Sequence, residues 1–193
     1  MTIWFATGNL HKKQELAAIL SGHIIKIPAE NGIDFDPEET GSTFFENALL
    51  KARCLYRLTG EPVIADDSGL CVDALDGRPG IYSARYGSSG EKKLDSRQRN
   101  RLLLGEMEGK ENRSARFVCS MVLLLSEDQF YAVQETLEGE IILKERGGGG
   151  FGYDPILLIP GLDRTVAELS EEEKNSLSHR GKAGKAIAKL LES

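Results

Sequence analysis

Only three cysteines occur in the 193 residues, and Cys54, Cys71 and Cys119 form no Cys-x-x-Cys pair. So small, odd and widely spaced a set speaks against a disulfide framework or a structural zinc site, and for a reducing, cytoplasmic setting. Long apolar runs are missing as well. The longest aliphatic stretch, Met121 to Leu125, falls far short of the about 20 residues that span a bilayer, so no membrane segment is expected. The first residues, Met1-Thr2-Ile3-Trp4-Phe5-Ala6, lack the basic and apolar regions of a secretory signal. Positive charge is in the minority: 24 Lys plus Arg against 30 Asp plus Glu give a net charge of −6. That balance argues against nucleic acid as a partner, because non-specific binding feeds on cations. The Thr7-Gly8-Asn9-Leu10-His11-Lys12 turn is neither the Walker pattern nor the dinucleotide Gly-x-Gly-x-x-Gly, and no internal repeat is visible.

What is present is ordinary for a folded chain. Hydrophobic residues make up 40% and charged residues 28%, which excludes wholesale disorder. At about 100–200 residues per domain, residues 1–193 are expected to form a single domain.

Residues 2–6 read as a short buried strand, broken by Thr7-Gly8-Asn9, and Leu16, Ile19 and Leu20 then show helical spacing. A second strand is expected over 23–28, followed by an acidic loop with Asp34, Asp36, Glu38 and Glu39. Thr43 and Glu46 form a capping box ahead of an amphipathic helix whose stripe is Phe45, Ala48, Leu49, Ala52, Leu55 and Tyr56. Asn47 and Lys51 share another face of it, and Glu61-Pro62 is expected to end it. Val63-Ile64-Ala65 reads as a strand stopped by Asp66-Asp67-Ser68-Gly69. A helix is expected over 91–104 with Leu94, Leu102 and Leu103 inward. Two long strands over 114–125 and 129–138 flank Ser126-Glu127-Asp128 as a hairpin. Gly147 to Gly150 is either a flexible loop or a place where backbone approaches a ligand. Ser170 and Glu173 cap a short helix, and a last helix follows over 178–191. Strands alternating with helices, plus a hairpin, indicate an α/β class with a mixed sheet.

Five constellations could carry chemistry. A strand that turns at Gly8 into a helix presents N–H groups that bind phosphate, with Lys12 adding a charge; the plainer reading makes Asn9 an N-cap. Asp66 and Asp67 repel one another unless a cation relieves them, and hard oxygen ligands favour magnesium; a solvated turn is the alternative. Glu38 and Glu39 can supply a further carboxylate or simply face water. Phe151-Gly152-Tyr153-Asp154 offers rings to stack on a base and a carboxylate for purine N–H edges, or else core aromatics before Pro155. From Lys174 to Lys189 there are Lys174, Arg180, Lys182, Lys185, Lys189 and His179 but no acid. Helix C-terminal charge accounts for Lys185 and Lys189 and leaves Lys174, His179 and Arg180 for an anion. Together the five imply a nucleoside polyphosphate held with magnesium.

The segments Thr7-Gly8-Asn9-x-x-Lys12-x-x-Glu15, Glu39-Thr40-Gly41-x-Thr43-Phe44-x-Glu46-Asn47-Ala48-x-x-Lys51-Ala52, Ala65-Asp66-Asp67-Ser68-Gly69-Leu70, Gly80-Ile81-Tyr82-Ser83-Ala84-Arg85-Tyr86, Phe151-Gly152-Tyr153-Asp154-Pro155 and Ser178-His179-Arg180-Gly181 resemble the inosine triphosphate pyrophosphatase family. The resemblance runs from about residue 3 to residue 190 in one order. It implies hydrolysis of non-standard purine nucleoside triphosphates (ITP, dITP, XTP) to the monophosphate and pyrophosphate, with Mg2+ and by water attack at the α-phosphorus. It also implies an elongated mixed-sheet α/β fold with two lobes and a central substrate cleft, as a homodimer. Carried over residue by residue, Asp67 is the catalytic carboxylate and a metal ligand, and Glu39 the second metal carboxylate with Glu38 in reserve. Thr7, Gly8, Asn9, Leu10, His11, Lys12 and Lys51 correspond to triphosphate contacts. Ser68, Phe151, Gly152, Tyr153, Asp154, Lys174, His179 and Arg180 correspond to further substrate contacts, the last group around the base. Two other functions stay open on the residues alone: a related pyrophosphatase for modified pyrimidine or methylated nucleotides, and a silent nucleotide-sensing module.

Overall fold

A computed structural model describes residues 1–89 and 93–192. The chain runs β1 (Thr2–Phe5), α1 (Leu10–Ile19), β2 (Ile24–Lys26), α2 (Phe44–Thr59), β3 (Val63–Val72), α3 (Ser96–Glu106), β4 (Ser114–Ser126), β5 (Gln129–Ile141), β6 (Leu157–Ile159), β7 (Arg164–Thr165), α4 (Glu171–Leu177) and α5 (His179–Glu192). Among the described residues the strands form one seven-stranded sheet in the order β2-β1-β3-β4-β5-β6-β7. β1 pairs in parallel with β2 and β3, whereas β5–β6 and β6–β7 are antiparallel, so the sheet is mixed as the sequence implied.

The residues divide into two compact units: Met1–Asp67 with Cys119–Glu135 and Asn175–Ser193, and Ser68–Val118 with Thr136–Lys174. In the first, helices cover both faces of the strands. Leu16 of α1, Leu20 at its C-cap, and Ala183 and Ile187 of α5 pack with Ile3, Phe5, Ile64 and Met121. Ala48, Ala52 and Leu55 of α2 pack with Trp4, Val63, Ala65 and Val122. Each large side chain so buried is worth about 1.5–3 kcal/mol of transfer free energy. The second unit has its own core, in which Leu70 and Val72, Leu103 of α3 and Met107 at its C-cap, and Ile156 and Leu157 meet.

Several local expectations need correction. Thr43 Oγ1 accepts from the Glu46 N–H at 3.1 Å, but the Glu46 carboxylate accepts from the N–H and hydroxyl of Ser42, both at 2.7 Å, instead of from Thr43. α2 stops at Gly60, left-handed at φ 65° with its N–H on Tyr56 O at 2.7 Å, ahead of Glu61-Pro62. Residues 91 and 92 of the expected third helix lie outside the described residues, and α3 starts at Ser96. Its buried positions are Asn100 and Leu103, while Leu102 is exposed. The glycine run approaches protein rather than solvent alone: Gly149 N–H donates to Ala167 O at 3.0 Å, and a Cβ on Gly147 would lie 2.7 Å from the Ala167 carbonyl carbon.

The largest correction concerns Asp66-Asp67-Ser68-Gly69. It does not stop a strand; β3 runs unbroken through it. Turn-forming side chains stay extended here because their polar groups find partners from other elements, which outweighs local propensity.

Candidate active site

Successive residues of a strand face opposite ways, and this separates the two acids. Asp66 shares the side of Ile64, toward α1 and α5. Its carboxylate is fully buried and takes both oxygens to Lys12 Nζ at 3.0 Å, with Arg180 Nε at 3.1 Å on Oδ2. Arg180 also donates from Nη1 to Glu15 Oε2 at 2.7 Å. Burial on its own would raise the Asp66 carboxyl, but the Lys12 and Arg180 charges hold it well below the ordinary range. The relief expected from a metal at this acid therefore comes from two cationic side chains.

Asp67 shares the side of Val63 and Ala65, toward α2. Its Oδ2 accepts from Asn47 Nδ2 at 3.1 Å, and its Oδ1 lies 3.5 Å from Lys51 Nζ. Lys51 also donates to Glu39 Oε1 at 2.7 Å, so one ammonium serves two carboxylates. Burial pushes the Asp67 carboxyl up, opposed by Lys51 and reinforced by the Glu39 charge. Glu38, by contrast, is exposed.

Among the described residues no three His, Cys, Asp or Glu side chains form a metal-holding cluster. Two carboxylates meeting at one cation nevertheless suit magnesium, which keeps several waters and takes only one or two protein carboxylates alongside substrate phosphates. Glu39 and Asp67 thus fit that ion by donor type and number.

At the β1–α1 turn Asn9 is the N-cap. Its Oδ1 accepts from the N–H groups of His11 at 2.9 Å and Lys12 at 3.4 Å, and its own N–H donates to Thr7 Oγ1 at 3.1 Å. Thr7 is buried; Gly8, Leu10 and His11 are exposed. His179 is buried at the start of α5 beside Arg180.

The second unit holds the remaining candidates. Asp154 Oδ2 accepts from Lys174 Nζ at 2.8 Å and from the Phe151 N–H at 2.8 Å. The same ammonium stands 4.5 Å from the centre of the Phe151 ring, in cation–π range. The Tyr153 hydroxyl donates to Ser83 O at 2.9 Å, which makes Tyr153 an anchor within the protein. Ser68, half-buried, opens this unit.

The structure therefore gathers Lys12, Arg180 and Asp66 on one side of β3 and Glu39, Lys51 and Asp67 on the other. Phe151, Asp154 and Lys174 meet within the second unit. The residue that sequence reasoning missed is Asn47. The sequence places it with Lys51 on another face than the apolar stripe, and in the structure it is fully buried against Asp67. The available signals are its i, i+4 spacing from Lys51 and its place in the Glu39–Ala52 segment that carries the family resemblance.

The Ham1 family profile matches residues 3–190. A protein of Treponema denticola named dITP/XTP pyrophosphatase is 52% identical over 191 residues, covering 99% of this chain and 98% of its own length. One of the same name from Bacillus subtilis is 45% identical, with 97% and 95% covered. Among solved structures, the Ham1 protein of Staphylococcus aureus superposes with a TM-score of 0.88 at 41% identity, covering 100% of this chain and 98% of its own. A HAM1 protein of Coxiella burnetii gives 0.90 at 38%, with the same coverage.

Proposed function

The chain belongs to the Ham1 family, and on that premise we propose that it hydrolyses the purine nucleoside triphosphates ITP, dITP and XTP to the monophosphate and pyrophosphate. The relatives' names support the substrate class. The observation that carries the reading is the Asp67 carboxylate fixed between Asn47 and Lys51 with Glu39 on the same ammonium.

Asp67 accepts the proton of the attacking water, with Asn47 keeping the carboxylate in one orientation. Lys51 and Lys12 stabilise charge on the phosphates, and their positions are already set by Glu39 and Asp66. Magnesium held by Glu39 and Asp67 would supply charge neutralisation on the phosphate oxygens. The Thr7–Lys12 turn lies against the triphosphate, and water attacks the α-phosphorus. His179 and Arg180 belong to the same substrate surface, Arg180 through its grip on Asp66.

Base choice follows from hydrogen-bond direction. Phe151 provides a stacking face, and Lys174 beside it can only donate. A 6-oxo purine offers it an acceptor; adenine offers an amino group that leaves a donor facing a donor, at about 1–3 kcal/mol for each unpaired buried group. The 2-amino group of guanine is refused by shape or by an unmatched partner. The working form is a cytoplasmic homodimer, and no helix among the described residues is long and apolar enough to cross a membrane.

The test is a steady-state panel of ITP, dITP, XTP, GTP, ATP and dUTP with product identification. A kcat/KM for ITP at least about tenfold above ATP and GTP, with pyrophosphate released, is expected. Equal values, or orthophosphate, would defeat the reading. Asp67→Asn keeps the shape and removes the base, and its turnover should fall by about 100-fold or more.

A further inference from the structure

α3 carries one buried residue that its helix does not need. Leu103 packs into the core of the second unit, but Asn100 on the same stripe is an amide only 1% exposed. A leucine there would cost no desolvation of polar atoms. The amide has one identified use: Nδ2 donates to Gly152 O at 3.2 Å, while Oδ1 has no hydrogen-bond partner among the described residues.

That carbonyl belongs to the turn that aims Phe151. Gly150 and Gly152 on either side of the ring are both left-handed, at φ 68° and 63°. Glycine visits this region without steric preference, so the two residues do not fix the ring's direction by themselves. Within the turn, Asp154 holds the Phe151 N–H. From outside it, the Ser83 carbonyl holds the Tyr153 hydroxyl, and Asn100 holds Gly152. Ser83 is itself tied down, its Oγ accepting from the Leu70 N–H at 2.8 Å and donating to Gly80 O at 2.7 Å. The Gly80–Tyr86 motif, which the proposed chemistry leaves without a role, thus forms the second of two external anchors.

We propose that Asn100 is a positioning residue for the purine, acting through the Gly152 peptide to hold Phe151 and Lys174 in one arrangement. This rests on the reading of Phe151 and Lys174 as the base-binding pair. Without the amide the turn loses one of its two external anchors, and the ring and ammonium are held less firmly in one orientation. Binding of the base weakens; the carboxylate and lysines that act on the phosphates are not touched.

The experiment compares full-length wild type with Asn100→Leu, which matches the shape and lacks the donor. KM for ITP should rise about tenfold, the scale of one lost hydrogen bond, with kcat held within about threefold. The inhibition constant of pyrophosphate, a probe carrying no base, should not move. The same KM shift should appear in the dissociation constant of inosine monophosphate by calorimetry. An unchanged KM, or an equal shift for pyrophosphate, overturns the proposal, since damage to the fold at large would not single out the base. Should Asn100→Leu fail to fold, Asn100→Ser carries the same expectations, its hydroxyl being too short to reach Gly152. Wild type serves as the separate arm: if it does not turn over ITP, the reading of function falls first and this proposal with it.

Discussion

Asn47 Nδ2 donates to Asp67 Oδ2 at 3.1 Å while Asn47 Oδ1 accepts from the Gly41 N–H at 2.8 Å. One buried amide thereby ties α2, β3 and the segment after the acidic loop to a single carboxylate. Replacing it by leucine strands an N–H and a carboxylate oxygen, at about 1–3 kcal/mol each. Asn47→Leu should unfold at lower urea, and its kcat on ITP should fall about tenfold or more as Asp67 loses its orientation. Wild-type values in both measurements would remove Asn47 from the catalytic arrangement.

The ionic group around Asp66 makes a different prediction. Asp66→Asn keeps the volume but leaves Lys12 and Arg180 without their shared anion. Breaking a buried pair on one side costs about 3–5 kcal/mol, because the surviving charge stays desolvated. Adding Lys12→Met should recover part of the loss, and a double-mutant cycle by denaturant titration reads that coupling. Additive effects would mean the contact contributes nothing of its own.

Two neighbouring glycines should behave oppositely. Gly150 is left-handed at φ 68°, and a Cβ there would overlap Asp154 Oδ2; Gly148 has nothing within 4 Å. Gly150→Ala should cost about 1–2 kcal/mol in backbone strain alone and raise KM for ITP by displacing Asp154 from Lys174. Gly148→Ala should be close to neutral. Similar melting temperatures and KM values for the two would contradict the packing described.

Glu173 supplies the pH dependence. Its hydrogen bonds from Arg164 and from the Ser170 N–H bring its carboxyl down from an ordinary 4.5 to about 2. Folding therefore favours the ionised form, and the stability this adds is present above pH 4.5 and disappears as pH falls toward 2. The gap in melting temperature between wild type and Glu173→Gln should be constant above pH 5 and close over that window. A gap that persists at pH 2 would place the contribution elsewhere.

Elements whose signals are local were legible in the sequence: the Thr43 cap and apolar stripe of α2, the β4–β5 hairpin, and the Ser170–Glu173 box that opens α4. What could not be read depends on partners remote along the chain. Asp-Asp-Ser-Gly has turn chemistry, and partners from other elements, Lys12, Arg180, Asn47 and Lys51 among them, keep it in a strand. Asn47 and Asn100 are polar residues at buried helix positions, where hydrophobic periodicity sees a defect.

The unbroken course of β3 has a consequence for how the molecule assembles. Ile64 lies opposite Phe5 across the sheet, and a shift of one step along this ladder would swap the two acids between sides. Because both are aspartate, the charge on each face would be unchanged, and the acids alone do not fix the alignment. What rejects the slip is shape: Ile64 would leave the core it shares with Phe5 and Met121, and Val63 and Ala65 the one they share with Ala48 and Ala52.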